Sequence, residues 1–303
     1  MKNNKKTVIS LFDGMGGCRI ALEKSGFKNI NYLASEIDEA AMNVVLHNYP
    51  MTRHIGSVVD IQPGQYGDVF LVTAGSPCTD LSRAGKESGM VTKSGVKVTS
   101  LKQYLTLKKQ GKKFQGQSYL FWEAVRVIRE TKPKYFLFEN TLMDKEWEDI
   151  ISKELGVKPL RINSSLVSAQ NRDRLYWTNI PDVTIPEDRK ITLEDVCGKG
   201  VVACGYRGRK NKLTDGYDRI YTERKDSKSN CLVTNGSSTN LIRVGKEIRE
   251  LTIEERLKLQ TISPNYCDVD GVTKTQKVKM TGNGWTTDVV SHIFNFIPKE
   301  ELV

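Results

Sequence analysis

Apolar positions in the first half of the chain fall in short, well-separated blocks. Residues 7–11 (TVISL), 31–35, 69–74 (VFLVTA) and 135–138 read as strands. The run at 69–74 is almost continuously apolar, as expected of a strand covered on both faces. Between these blocks the spacing becomes helical, at 18–25, 39–48 and 118–131. In the last stretch Leu120, Phe121, Ala124, Val125 and Ile128 share one face. Alternating strand and helix predict an α/β fold: a doubly wound, mostly parallel sheet of Rossmann type. The pattern breaks near residue 180. Residues 181–186 read as a linker, and 199–228 are polar, basic and glycine-rich, with Tyr206, Tyr217 and Tyr221 interleaved. Helical spacing returns at 252–260, where T-I-E-E from Thr252 matches a capping box, and again at 288–296. The expected organisation is a large domain over 1–180, a small one over 181–270 and a return to the large domain over 271–303.

Doubly wound sheets collect ligands at the C-terminal ends of their strands. Several chemically notable residues fall there in the predicted pattern: the turn Phe12-Asp13-Gly14-Met15-Gly16-Gly17, Glu36, Asp60, Gly75-Ser76-Pro77-Cys78 and Glu139-Asn140. A glycine turn between strand and helix lets backbone approach a ligand closely. This one lacks the G-x-G-x-x-G spacing, which argues against a nicotinamide-dependent oxidoreductase. Glu36 suits ribose hydroxyls and Asp60 an adenine amino group. Singly, each acid reads equally as a helix cap or a loop residue. Together they describe a nucleoside pocket without a pyrophosphate site, which fits S-adenosylmethionine better than a dinucleotide.

Composition narrows the partners. The 303 residues carry a net charge of +10 with a pI near 9.2, a surface that attracts polyanions. No apolar run approaches the roughly 18 residues of a membrane helix, and the N-terminus lacks a leader pattern, so a cytoplasmic protein is expected. Six cysteines without a C-x-x-C pair, and three histidines, fit neither a zinc site nor a disulfide framework. No metal is expected. Cys78 follows a buried strand on a turn stiffened by Pro77. A lone cysteine is more often a small hydrophobe, but a cationic setting at a ligand edge lowers a thiol's pKa and makes it a nucleophile. Glu139 reads as a proton donor to a ring nitrogen or as one half of an ion pair. In Gln170-x-Arg172-x-Arg174, alternation puts both arginines on one face, where they can clamp a carbonyl, carboxylate or phosphate.

The order of these motifs resembles the C5-cytosine DNA methyltransferases over nearly the whole chain. FDGMGG is similar to the family's cofactor turn, SPC to its proline-cysteine motif and ENT to its Glu-Asn-Val motif. QNRDR reproduces Gln-x-Arg-x-Arg, and RELTIEERLKLQTI is similar to the Arg-x-Leu-Thr helix. GNGW stands where Gly-Asn-Ala-Val is usual. GSPCT and GNGW are closer to the de novo methyltransferases of animals, and Thr141 replaces the usual valine.

The resemblance implies a methyltransferase fold with a small target-recognition domain, S-adenosylmethionine as cofactor and S-adenosylhomocysteine as product. It implies Cys78 as the nucleophile at C6, Glu139 at N3, Arg174 with Arg172 at O2, and Asn140 orienting the Cys78 loop. Phe12, Asp13, Gly14, Met15, Gly16, Gly17, Glu36, Ile37, Asp60, Ile61, Ser76 and Pro77 are expected to line the cofactor pocket, closed by Asn283, Gly284 and Trp285. Double-stranded DNA is the expected partner, its target base flipped out. Residues 83–113 carry nine Lys/Arg and one Glu and are expected to form a mobile loop closing on DNA. Ser82, Arg83 and Lys86 are candidate DNA contacts there, as are Arg207, Arg209, Arg219 and Arg224 in the recognition region. An RNA-directed enzyme of the same fold usually carries Cys-Phe-Thr, absent here. A catalytically dead relative is expected to have lost the cysteine, glutamate or arginines, all present. A monomer is the default expectation, and solitary, phage-encoded and restriction-modification enzymes, with a bacterial or phage source, all fit.

Overall fold

The computed structural model describes residues 5–77, 81, 90–210, 217–234 and 240–301. The chain begins β1 (Lys6–Leu11), α1 (Gly17–Lys24), β2 (Ile30–Ser35), α2 (Glu39–Asn48), β3 (Arg53–His54) and β4 (Val69–Ala74). It continues through α3 (Leu101–Lys109), α4 (Phe121–Thr131), β5 (Tyr135–Thr141), α5 (Lys145–Leu155), β6 (Leu160–Asn163) and β7 (Asp173–Thr178). These seven strands make one sheet in the order β3-β2-β1-β4-β5-β7-β6. The first five run parallel, and β7 is antiparallel to both its neighbours. β4 is buried at every position, as its unbroken apolar run requires. One face of the sheet packs through Phe138 and Trp177 against Phe121 and Trp122 of α4 and Trp147 of α5. The other packs through Val8 and Leu137 against Leu22 of α1 and Val289, Ile293 and Phe294.

Two expectations need correction. Glu139 does not end its strand: β5 runs on to Thr141 because antiparallel β7 supplies partners beyond the point where β4 stops. Residues 90–113 are not loop throughout. Val91 and Lys97 bridge, α3 follows, and Met90, Val98 and Tyr104 are buried in the main core. Tyr104 donates to the fully buried Glu123 of α4 at 2.5 Å, and Lys108 and Arg126 converge on the same carboxylate. Arg126 in turn reaches the carbonyls of Val58 and Ile61. The lysine-rich sequence hid an amphipathic helix whose apolar stripe is short. The rest of the expected loop, with Ser82, Arg83 and Lys86, lies outside the described residues, as does Cys78.

Beyond residue 180 come α6 (Leu193–Cys197), β8 (Val201–Lys210), β9 (Tyr217–Glu223), β10 (Leu241–Val244) and β11 (Glu247–Glu250). The four strands form an antiparallel sheet, order β11-β10-β8-β9, which sequence patterning did not reveal. Leu193, Val201, Ala203, Leu232, Ile242 and Leu251 make its small core, joined by Ala169 and Leu259. The chain closes with α7 (Ile253–Leu259), α8 (Lys274–Asn283) and α9 (Thr287–Phe294). Thr252 and Glu255 form the expected capping box on α7. Leu257, Ile262, Tyr266 and Cys267 share a core with Met15, Ile20 and Val44, so α7 and its following turn pack on α1 and α2. Arg256 is buried, and among the described residues no carboxylate pairs with it. It donates to Thr281 Oγ1, Asn240 Oδ1 and the carbonyls of Val233 and Val278, tying the small sheet to α8. Among the described residues no helix is long and apolar enough to cross a membrane, and no cluster of His, Cys, Asp or Glu is arranged to hold a metal ion.

Candidate active site

A cleft of about 430 Å³ opens along the C-terminal edge of β1, β2, β4 and β5, bounded on the far side by the turn between α8 and α9. It gathers residues scattered from 10 to 285. Of the expected cofactor residues, Phe12, Asp13, Gly14, Met15, Gly17, Glu36, Ile37, Ser76, Pro77, Asn283, Gly284 and Trp285 line it. Gly16, Asp60 and Ile61 do not. Gly16, at φ 80°, turns against Tyr266 and Val45. Asp60 is exposed in a 3-10 turn, Val58–Asp60, and Ile61 is buried beneath it. Ser57 and Val58 line the wall in their place. The sequence also gave no sign of Asp38 and Lys279, which meet at 2.7 Å beside the cleft. The Lys279 hydrogen bond holds the Asp38 carboxyl below its usual range.

One end of the cleft is built on Glu36. One carboxylate oxygen accepts from Gly14 N at 2.7 Å, and the other from Ile37 N at 2.7 Å and Asp38 N at 2.9 Å. Gly14 sits at φ 55°, a conformation glycine adopts without strain, and this presents its N–H to the acid. Asp13 is 7% exposed. Its Oδ1 accepts from Tyr32 at 2.5 Å, and its Oδ2 has no partner among the described residues. Burial is the main cause that pushes this carboxyl up to about 7, against hydrogen bonds from Ser10 and Tyr32 that oppose the rise.

At the other end of the cleft, Glu139 is held from two sides. Arg174 Nε lies 3.1 Å from one oxygen, and Trp285 Nε1 donates to the other at 3.0 Å. Gly75 makes room for this pair, since a Cβ there would lie 2.9 Å from Trp285 Nε1 and 3.2 Å from Glu139 Oε2. Asn140 donates to Ser76 O and Ser76 Oγ, both at 3.3 Å, so it braces the turn that leads to Cys78. The two arginines are together, as alternation predicted, yet differ in use. Arg172 is buried, and its donors go to Gly282 O at 3.3 Å, Gly284 O at 2.9 Å and Cys231 Sγ at 3.4 Å. Desolvation, followed by the neighbouring Arg174 charge, lowers its pKa.

The remaining candidates lie on the small sheet. Arg207 and Arg209 fall on β8 and Arg219 on β9, with side chains outside the described part. Arg224 is engaged locally, paired with Asp226 at 2.5 Å and donating to Asn230 at 3.2 Å.

A seven-stranded sheet of this order, with a cleft at the carboxyl edge of β1 and β4, is the fold of methyltransferases. The structure of the Entamoeba histolytica methyltransferase EhMeth superposes with a TM-score of 0.64 at 15% identity, covering 97% of this chain and 98% of that one. The chain belongs to the C-5 cytosine-specific DNA methylase family, whose model matches residues 6–180. It is 26% identical to the type II methyltransferase M1.ScrFI of Lactococcus lactis subsp. cremoris, over 93% of this chain and 75% of that one. It is 30% identical to the type II methyltransferase M.BanI of Aneurinibacillus aneurinilyticus, over 72% of this chain and 46% of that one. The chain thus spans three quarters of the first relative and less than half of the second.

Proposed function

We propose that this protein transfers a methyl group from S-adenosylmethionine to C5 of a cytosine flipped out of double-stranded DNA. The observation that carries the reading is one cleft with a nucleoside-binding acid at one end and an Arg174–Glu139–Trp285 constellation at the other. The cleft fits the cofactor's chemistry. Glu36 keeps lone pairs free for ribose hydroxyls, and the orphaned Asp13 oxygen is a buried acceptor suited to a cationic group. Bound there, S-adenosylmethionine supplies an electrophilic methyl group.

The chain's own residues prepare the base. The Cys78 thiolate adds to C6, and the C5–C6 double-bond pair moves onto C5. Glu139 hydrogen-bonds N3, and Arg174 stabilises charge at O2. Once C5 carries the methyl, loss of its proton to a base restores the double bond and expels the Cys78 thiolate. Arg172 shapes the site from behind, holding the Gly282–Gly284 backbone against it. Residues 82–89 and the β8–β11 sheet are the elements we assign to DNA, offsetting the few kcal/mol that flipping a base costs.

The test incubates the protein with labelled S-adenosylmethionine and either duplex DNA or tRNA, followed by bisulfite sequencing. Label at C5 of cytosine in duplex DNA, lost in Cys78→Ser, is the expected result. Transfer to tRNA alone would replace DNA with RNA as substrate. Full activity in Cys78→Ser would remove the covalent step.

A further inference from the structure

Cys231 stands at the charged end of the site, on the segment between β9 and β10. Its Sγ lies 3.4 Å from Arg172 Nη1 and 3.8 Å from Arg174 Nη2. It is not among the cleft-lining residues, whereas both arginines are, so it sits behind them. Two guanidiniums are packed here, Arg172 buried and Arg174 with 16% of its side chain exposed, and among the described residues the carboxylate of Glu139 faces Arg174. Asp173 is turned away onto Arg161, at 2.5 Å. The other described titratable group facing the cluster is Tyr176, whose phenol burial pushes well up, so it stays neutral. The turn beyond α8 contributes the carbonyls of Gly282 and Gly284 and the indole of Trp285. Burying a cation is costly, and a thiolate at Cys231, in contact with Arg172 at 3.4 Å, would offset part of that cost.

We propose that Cys231 is a positioning residue, its thiolate the counter-ion that fixes Arg172 and Arg174 and so aims Arg174 at Glu139. The inference rests on the function proposed above. Burial alone would raise the Cys231 thiol, but the charges and hydrogen bonds of the two arginines outweigh it and hold it below its ordinary value. As a thiol, Sγ donates to Leu232 O at 3.6 Å, and the backbone that carries it is well fixed. Leu232 N donates to Gln170 Oε1 at 2.9 Å, and Asn240 Nδ2 donates to Cys231 O at 2.9 Å. A Cβ on Gly282 would lie 2.5 Å from the Val233 carbonyl carbon, so only glycine lets α8 approach this segment so closely.

The experiment has two arms on the full chain. In the first, iodoacetamide alkylation of the Cys231 peptide is followed by mass spectrometry against pH, without DNA or cofactor. The midpoint is expected below the ordinary thiol value of about 8.5 and is expected to rise in Arg172→Met. A midpoint at or above that value in the wild type overturns the proposal. In the second arm, Cys231→Ala and Cys231→Ser are expected to lower kcat roughly tenfold to a hundredfold, the scale of losing a charged hydrogen bond. The KM for S-adenosylmethionine should stay within about twofold, since the thiol lies outside the cleft. Cys231→Asp, a permanent anion, is expected to recover most of the activity and to flatten the acid limb of the pH profile. A serine variant equal to wild type, or an aspartate variant no better than alanine, overturns the assignment. Failure of the wild type to methylate DNA would sink the proposed function, while a low alkylation midpoint would still support the counter-ion.

Discussion

Asp13 offers the sharpest quantitative prediction. Its carboxyl titrates near about 7 in the folded protein because it is buried with one oxygen unpartnered, against 3.8 as its ordinary value. A carboxyl whose folded pKa is raised binds its proton more tightly in the native state than in the unfolded chain. Stability therefore falls as pH rises between about 4 and 7, and levels off above 7. Each pH unit separating the folded from the unfolded pKa corresponds to roughly 1.4 kcal/mol, so ionising Asp13 costs the cofactor-free protein about 4 kcal/mol, of which about 2 is lost between pH 5 and 7. Asp13→Asn removes the titration while keeping an acceptor for Tyr32. Urea unfolding of both proteins at pH 5, 6, 7 and 8, without cofactor, reads the difference. The wild type is expected to lose about 2 kcal/mol relative to Asp13→Asn from pH 5 to 7, with little further loss to pH 8. Parallel pH curves would refute the reasoning. The same linkage predicts that a cationic cofactor binds more tightly as pH rises through 7, in the wild type only.

Glu36→Gln must turn an amide N–H toward a backbone N–H, because Gly14 faces one oxygen of Glu36 while Ile37 and Asp38 face the other. Calorimetry should show S-adenosylmethionine affinity lowered roughly tenfold or more, and an unchanged Kd would remove Glu36 from the cofactor site. Gly75→Ala drives a methyl group against Trp285 and Glu139. Activity should fall by more than about tenfold with thermal stability lowered by roughly 1–3 kcal/mol, the scale of overpacking. Intact activity would mean that the Trp285–Glu139 contact is dispensable. Arg256→Met fills the volume but orphans the Val233 carbonyl and strips one donor each from Val278 O and Asn240 Oδ1, which keep Thr281 Oγ1 and Val233 N. Denaturant unfolding should show a loss of roughly 2–4 kcal/mol, and hydrogen exchange should rise first at residues 231–234. A stability equal to wild type would show that the buried cation costs as much as its hydrogen bonds return.

Much of the cleft was legible in the sequence because its signals are local. A glycine turn after a strand, an acid at the next strand end and a capping box on α7 each need only a few neighbouring residues, and alternation alone set Arg172 beside Arg174. The doubly wound topology followed from the order of apolar blocks, and it gathered positions 12, 36, 77 and 139 along one edge. Tertiary structure decided what depends on contacts between distant segments. Trp285 reaches Glu139 across 146 residues of chain, and Cys231 meets Arg172 across 59. Neither pairing leaves a periodic trace. Residues 90–113 read as part of a mobile loop closing on DNA because lysines outnumber the few side chains, Met90, Val98 and Tyr104, that anchor them. Asp60 shows the converse. Its place after a strand-like segment suggested a ligand contact, yet the chain turned early and left Ser57 and Val58 on the cleft wall. The sequence alone determined which of these side chains fall at the edge of the sheet. Only the folded chain, by packing, decided that Arg174 reaches Glu139, that Arg172 braces the Gly282–Gly284 backbone, and that Cys231 stands behind both.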